Sequence, residues 1–172
     1  MRETLFNWLQ GRIAGRRCLD LYAGSGALGL EALSRGAARV TFVDTNARAL
    51  AAIRTLLEEW RADAGAGETA HAEARRFLAG PARPHDLVFL DPPFSAGELA
   101  GTIAALAQRG WLAEDARIYI EQPAAAALPA LPADWALLRT GKAGAVGFHL
   151  CARVADPAAA RTTEQNDARS EP

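Results

Sequence analysis

Short apolar runs recur along this chain, each ended by a turn and followed by residues at helical spacing, and that alternation restricts the fold more than any other feature. The runs occupy residues 17–22, 39–44, 68–72 (the weakest), 86–91 and 117–121. Helical patterns occupy 3–10, 28–34, 47–62 and 97–109; in the third, Leu50, Ile53, Leu57 and Trp60 recur at steps of three and four. Strands that are apolar throughout and separated by helices are parallel and covered on both faces. The last stretch departs from the pattern. Residues 135–140 and 146–154 read as two strands joined by the Gly-containing segment 141–145, an antiparallel hairpin. The expectation is a Rossmann-like α/β fold with a seven-stranded, mostly parallel sheet that finishes in that hairpin.

A chain of 172 residues is the size of one domain. Residues 1–154 carry the pattern and form the expected domain; 155–172 show no periodicity and read as a disordered polar tail. No apolar run approaches the roughly 20 residues of a membrane-spanning helix, and the first residues lack the character of a secretory signal, so a cytoplasmic location is expected. The formal net charge is −1, which shows no general affinity for phosphates. A local patch would need Arg12, Arg16, Arg17, Arg75, Arg76 and Arg83 to gather on one side. Cys18 and Cys151 lie in apolar runs and read as small buried hydrophobes. His71, His85 and His149 have no partners at metal-ligand spacing and read as structural, and Trp111 and Trp135 as core or edge fillers. No metal is expected.

The turn after the first strand is Asp20-Leu-Tyr22-Ala23-Gly24-Ser25-Gly26-Ala-Leu-Gly29. Its glycines let the backbone approach a ligand and open the amino end of the following helix. Gly24 to Gly29 satisfies the dinucleotide-binding spacing, and Asp44, twenty residues on, stands where an acid would hold ribose hydroxyls. A nicotinamide-dependent oxidoreductase is therefore a competing reading. Asp20 argues against it, because a carboxylate there repels a pyrophosphate but suits a ligand bearing an ammonium and a sulfonium. S-adenosylmethionine is such a ligand, and a sheet ending in an antiparallel hairpin fits a methyltransferase better than a dehydrogenase.

Asp91-Pro92-Pro93-Phe94 follows the fourth strand, which places it at the carboxyl edge of the sheet beside the Gly-rich turn. Two prolines fix the backbone and remove two donors, so this turn is rigid and accepts hydrogen bonds. The amine on a nucleic-acid base is a poor nucleophile because its lone pair is delocalised into the ring. Asp91 and the Pro92 carbonyl, by accepting its protons, localise that pair on nitrogen, while Phe94 stacks on the base for roughly 1–3 kcal/mol. Glu73, after the third strand, is a candidate partner for an adenine amine, and 121–123 ends the fifth strand where it can flank a substrate.

Residues 2–9 (Arg-Glu-Thr-Leu-Phe-Asn-Trp-Leu), 19–37 and 87–94 resemble, in order, three signatures of the bacterial methyltransferases acting on N2 of guanine 966 in small-subunit ribosomal RNA. The likeness covers about residues 1–154. It implies that Asp20, Gly24 and Gly26 cradle the methionine part of S-adenosylmethionine, with Tyr22, Ala23 and Ser25 in the same turn. It further implies Asp44 at the ribose, Glu73 at the adenine, and Asp91, Pro92, Pro93 and Phe94 at the target guanine. The family often carries Glu where this chain has Asp44. Its members usually precede the first signature with a basic hairpin arm, so that arm is expected to be absent here. The implied substrate is 16S ribosomal RNA in a partly assembled small subunit, approached by a monomer without metal or membrane. The Asp-Pro-Pro-aromatic turn is shared with DNA adenine N6-methyltransferases, which leaves that reading open, together with an inactive RNA-binding domain.

Overall fold

In the computed structural model, which describes residues 1–63, 65–93, 97–108 and 110–154, twelve elements alternate as the sequence pattern predicts. They are α1 (Arg2–Trp8), β1 (Arg17–Asp20), α2 (Ala27–Ser34), β2 (Arg39–Asp44), α3 (Ala47–Glu59), β3 (Gly67–His71), α4 (Ala74–Leu78), β4 (His85–Leu90), α5 (Glu98–Gln108), β5 (Leu112–Pro123), β6 (Trp135–Ala143) and β7 (Val146–Arg153). The seven strands form one sheet in the order β3-β2-β1-β4-β5-β7-β6. β7 pairs antiparallel with both β5 and β6, and the other pairs are parallel.

Alternation along each strand sorts the core into two layers. Cys18, Val40, Phe42, Leu87, Phe89, Tyr119, Phe148 and Leu150 face α1, α2 and α3, where Leu5, Phe6, Leu30, Ile53 and Leu57 meet them. Leu19, Leu21, Val43, Val88, Leu90, Ile118, Ile120 and Cys151 face α4 and α5, packing on Ala74, Leu78, Leu99, Ile103 and Leu106. Cys18 and Cys151 thus lie in opposite layers as free, buried thiols, each pushed by burial up to about 12. Trp111 and Trp135 are core residues, as expected, and Trp111 donates its indole N–H to the Leu78 carbonyl at 3.1 Å.

Three elements differ from the sequence expectation. β6 runs on to Ala143, through residues read as the joining segment, because Gly141, Lys142 and Ala143 pair with Phe148, Gly147 and Val146 of β7. α4 is a five-residue helix in a stretch the sequence pattern assigned to no element, too short to show a period, and it is kept by burying Ala74 and Leu78. β5 begins five residues earlier than expected, at Leu112, because a register shift between His85 and Leu87 carries pairing past the polar residues Glu114 and Asp115. The 155–172 segment, read as a tail, lies outside the described residues.

Candidate active site

β1 sits between β2 and β4, and the chain crosses to one side after β1 and to the other after β3. Such a switch point opens a crevice at the carboxyl ends of the strands. The Gly-rich turn is pinned across it. Leu21 donates its N–H to the Phe89 carbonyl of β4 at 3.2 Å, and Ala23 donates to the Val43 carbonyl of β2 at 3.0 Å. Gly24 and Gly26 take φ of +51° and +80°, a region that disfavours side chains. At Gly26 a methyl group would also come within 2.9 Å of Ile53 Cγ1, whereas at Gly24 it would meet open space. Ser25 is exposed, and Ala23 is buried beneath the turn.

Asp20 and Asp44 hold this turn from two sides. Asp20, buried at the end of β1, accepts the Gly29 N–H at 3.1 Å and so satisfies one of the open amides of the first turn of α2. Burial pushes its carboxyl up to about 7, against the opposing effect of the Gly29 N–H. Asp44 accepts the Gly24 N–H at 2.8 Å through one oxygen and the Asn46 N–H at 2.7 Å through the other. Asn46 in turn caps α3 by accepting the Arg48 and Ala49 N–H groups at 3.0 and 3.2 Å.

A cavity of about 240 Å³ lies beside the turn, lined by Tyr22, Asp44, Glu73, Asp91, Pro93 and Glu98 together with Leu21, Thr45, Ala72 and Ala74. Of the candidate residues, Tyr22, Asp44, Glu73, Asp91 and Pro93 therefore meet on one cavity, and Asp20 stands behind the turn rather than in the lining. Pro92 is buried beneath, and Phe94 lies outside the described residues. Tyr22 hydrogen-bonds Thr102 of α5 at 2.8 Å, which fixes its ring at the wall, and burial pushes its hydroxyl up to about 12. Among the described residues the lining carries four carboxylates and no lysine or arginine. Such an acidic lining and the open backbone at Gly24 fit an adenosyl ligand with cationic groups and disfavour a pyrophosphate.

Asp91 shares its surroundings with Glu121, at the end of the neighbouring strand β5. The two carboxyls are within hydrogen-bonding reach of each other, and Tyr119 donates its hydroxyl to Glu121 Oε1 at 2.8 Å. Burial raises both carboxyls above the ordinary range, and the charge of Asp91 raises Glu121 further. The sequence placed 121–123 near a substrate but showed no link from Glu121 to Asp91. That link needs the β4–β5 register, in which Phe89 and Leu90 lie beside Tyr119 and Ile120. Thr45, Thr102 and Glu98 were likewise invisible to a motif search.

The arginines do not gather on one side. Arg16, Arg17 and Arg83 lie toward the amino edge, opposite the cavity, paired with Asp86, Asp115 and Glu68, Arg12 acts with Arg16 by charge on Arg117, and Arg75 and Arg76 are on α4. Of the histidines, His85 is buried and stacks on Trp111, His71 contacts the Thr45 carbonyl at 2.9 Å, and His149 contacts Thr140 at 3.1 Å.

Residues 1–152 match the family model described as Conserved hypothetical protein 95. Escherichia coli (strain K12) has a protein named Ribosomal RNA small subunit methyltransferase D that is 44% identical over 155 residues, covering 90% of this chain and 77% of that protein. The protein of that name in Haemophilus influenzae is 38% identical over 152 residues, covering 87% of this chain and 78% of its own length. A solved Escherichia coli structure described as a methyltransferase superposes with a TM-score of 0.86 at 44% identity, covering 90% of this chain and 86% of that one. A Haemophilus influenzae structure described as a methylase gives 0.82 at 37%, covering 89% and 96%.

Proposed function

The chain belongs to the family that includes the Escherichia coli and Haemophilus influenzae proteins named Ribosomal RNA small subunit methyltransferase D, and on that premise we propose that it methylates the exocyclic N2 amine of a guanine in 16S ribosomal RNA. The observation that carries this reading is that Asp91 and Pro93 share one acidic cavity with Asp44 and Glu73, at the switch point of the sheet.

S-adenosylmethionine, when bound, supplies a methyl group on a sulfonium, a leaving group that needs no further activation. The chain's own residues orient and activate the acceptor. Asp91 and the Pro92 carbonyl accept the two amine protons, which turns the nitrogen lone pair out of the ring and toward the methyl group. Asp91 then takes the proton that the methylated nitrogen releases. Asp44 holds ribose hydroxyls with lone pairs left over from the Gly24 and Asn46 amides, and Glu73 takes the adenine amine. The backbone from Ala23 to Gly26, held from behind by Asp20, receives the methionine part, and Tyr22 forms the cavity wall. Phe94 stacks on the base. Positioning and electrostatics of this kind supply the rate enhancement.

Residues 1–154 form the catalytic domain, which acts as a monomer in the cytoplasm on a partly assembled small subunit. Presenting the base costs a few kcal/mol of unstacking, least where the RNA is not yet folded into the mature particle. Calorimetric titration with S-adenosylhomocysteine, followed by a tritiated-methyl assay on small subunits lacking the modification, tests the reading. It predicts binding and incorporation; no binding removes its foundation.

A further inference from the structure

The mechanism above leaves unused a buried carboxyl that lies behind the cavity wall beside Asp91. Glu121 is 6% exposed, an uncommon place for a carboxyl group that is not a ligand or half of a pair with an arginine or lysine. It lies one residue beyond the Leu90–Ile120 pairing, the last of the β4–β5 register, as Asp91 lies one residue beyond Leu90, which brings the two carboxyls together at the carboxyl ends of adjacent strands. Tyr119, two residues before Glu121 on the same strand, packs in the α1–α3 layer with Phe89. The Tyr119 hydroxyl is buried beside Glu121, and its ring is held edge-on to Phe89 at 6.4 Å and tilted against Phe148 at 6.4 Å.

We infer that Glu121 is a positioning residue for Asp91: its carboxylic acid, oriented by the Tyr119 hydroxyl, donates a hydrogen bond to the Asp91 carboxylate and fixes which oxygen faces the target amine. This inference rests on the methyl-transfer reading. Tyr119 donates to Oε1 of Glu121 at 2.8 Å, which makes Oε1 the carbonyl oxygen and leaves the acid proton on the other oxygen, for Asp91. A buried carboxylate, Glu121, in contact with a second one at the cavity mouth, Asp91, cannot ionise cheaply alongside it, so the pair keeps one proton between them. The groups acting on Glu121 are Asp91 just after β4, Tyr119 from its own strand and the amino group of Met1, and the charge of Asp91 in turn raises Asp20 of β1. Of these only the Met1 amino group favours ionised Glu121 by its charge. A proton held on Glu121 leaves Asp91 as the ionised acceptor, with one lone pair engaged and the remainder aimed at the substrate. Without that bond the Asp91 side chain is free to rotate at the mouth of the cavity.

The test compares Glu121→Leu and Glu121→Gln in the full chain. Glutamine donates through its amide to Asp91 and accepts from Tyr119, and so keeps the arrangement without the proton. In Glu121→Leu, kcat for methyl transfer to unmodified small subunits is expected to fall by about 100-fold, the order that misalignment of a reacting group produces. KM for RNA and the S-adenosylhomocysteine dissociation constant are expected to stay unchanged, and Glu121→Gln to recover most of the loss. A folded Leu variant with unchanged kcat, or a Gln variant as impaired as Leu, overturns the inference. A carboxyl-carbon NMR titration of the unliganded protein gives an arm independent of activity. It should show the Asp91–Glu121 pair retaining one proton above the ordinary carboxylate range, and two carboxyls ionising separately within that range overturn the inference as well. If the parent protein methylates no RNA, the methyl-transfer reading fails by itself, and the titration still decides whether the pair shares a proton.

Discussion

Asp91 and Asp20 are both carboxylates at strand ends, and their surroundings give them different tasks. Asp91 faces the cavity, so Asp91→Ala should abolish methyl transfer while S-adenosylhomocysteine still binds with near-parent affinity in calorimetry; an active mutant would remove the role assigned to it. Asp20 is turned inward, and its carboxyl is raised from 3.8 to about 7, chiefly by burial. The folded state therefore binds more protons than the unfolded state between those values. Stability falls as pH rises through that window, because the unfolded chain is already ionised there and the folded one must ionise in a buried site. A ligand that brings positive charge favours ionised Asp20 and releases its proton. Affinity for S-adenosylhomocysteine, which keeps the ammonium, should accordingly rise with pH up to about 7 and level off above, with proton release detectable by calorimetry in buffers of different ionisation enthalpy. Replacement by Asn should flatten that slope. The presence of Asp20, Asp44 and Asp91 at strand ends was legible in the sequence. The inward turn of Asp20 was not, because nothing in a motif says whether a carboxylate faces the ligand or the amide of Gly29.

At the scale of elements, the amino ends of the helices decide how well the site is held. Asn46 caps α3 directly after Asp44, so Asn46→Ala should cost about 1 kcal/mol, read as a lower denaturant midpoint. It should also weaken cofactor binding, since the Asp44 loop loses its anchor. Gly29, on the buried face of α2, leaves no room for a side chain: a methyl group would lie 2.9 Å from Val40 Cγ1 and closer still to the Phe42 ring. Gly29→Ala should therefore destabilise by about 1–3 kcal/mol through overpacking, a fall of several degrees in the melting temperature. Long elements with a clear period, such as α3 and β4, could be read from the sequence to within a few residues. Short or polar ones could not. α4 has too few residues to show a period, and the first half of β5 looks like a turn until pairing with His85 is seen.

For the whole molecule, the order β3-β2-β1-β4-β5-β7-β6 brings the Gly-rich turn, Asp44 and Asp91 to the carboxyl edge from three different strands. The alternation of strands and helices predicted that gathering, since consecutive parallel strands end on the same side. What it could not show was lateral contact between strands distant in the chain, which depends on sheet order and register. The Asp91–Glu121 pair is the clearest case, thirty residues apart in sequence and within hydrogen-bonding reach in space. Surface charge is distributed in the same non-local way. The arginines that the sequence offered as one basic patch are divided between the amino edge and α4, and at the amino edge they pair with acids. Recognition of RNA is accordingly expected to rest on the cavity and on the form of the assembling particle more than on a broad basic surface, giving a shallow dependence on salt. The most direct measurement is nucleoside mass spectrometry of 16S RNA after unmodified small subunits have been incubated with the purified protein and S-adenosylmethionine. The account predicts one new N2-methylguanosine per RNA, absent with Asp91→Ala. Methylation of DNA adenine instead, or bound cofactor with no methylated guanosine, would contradict it.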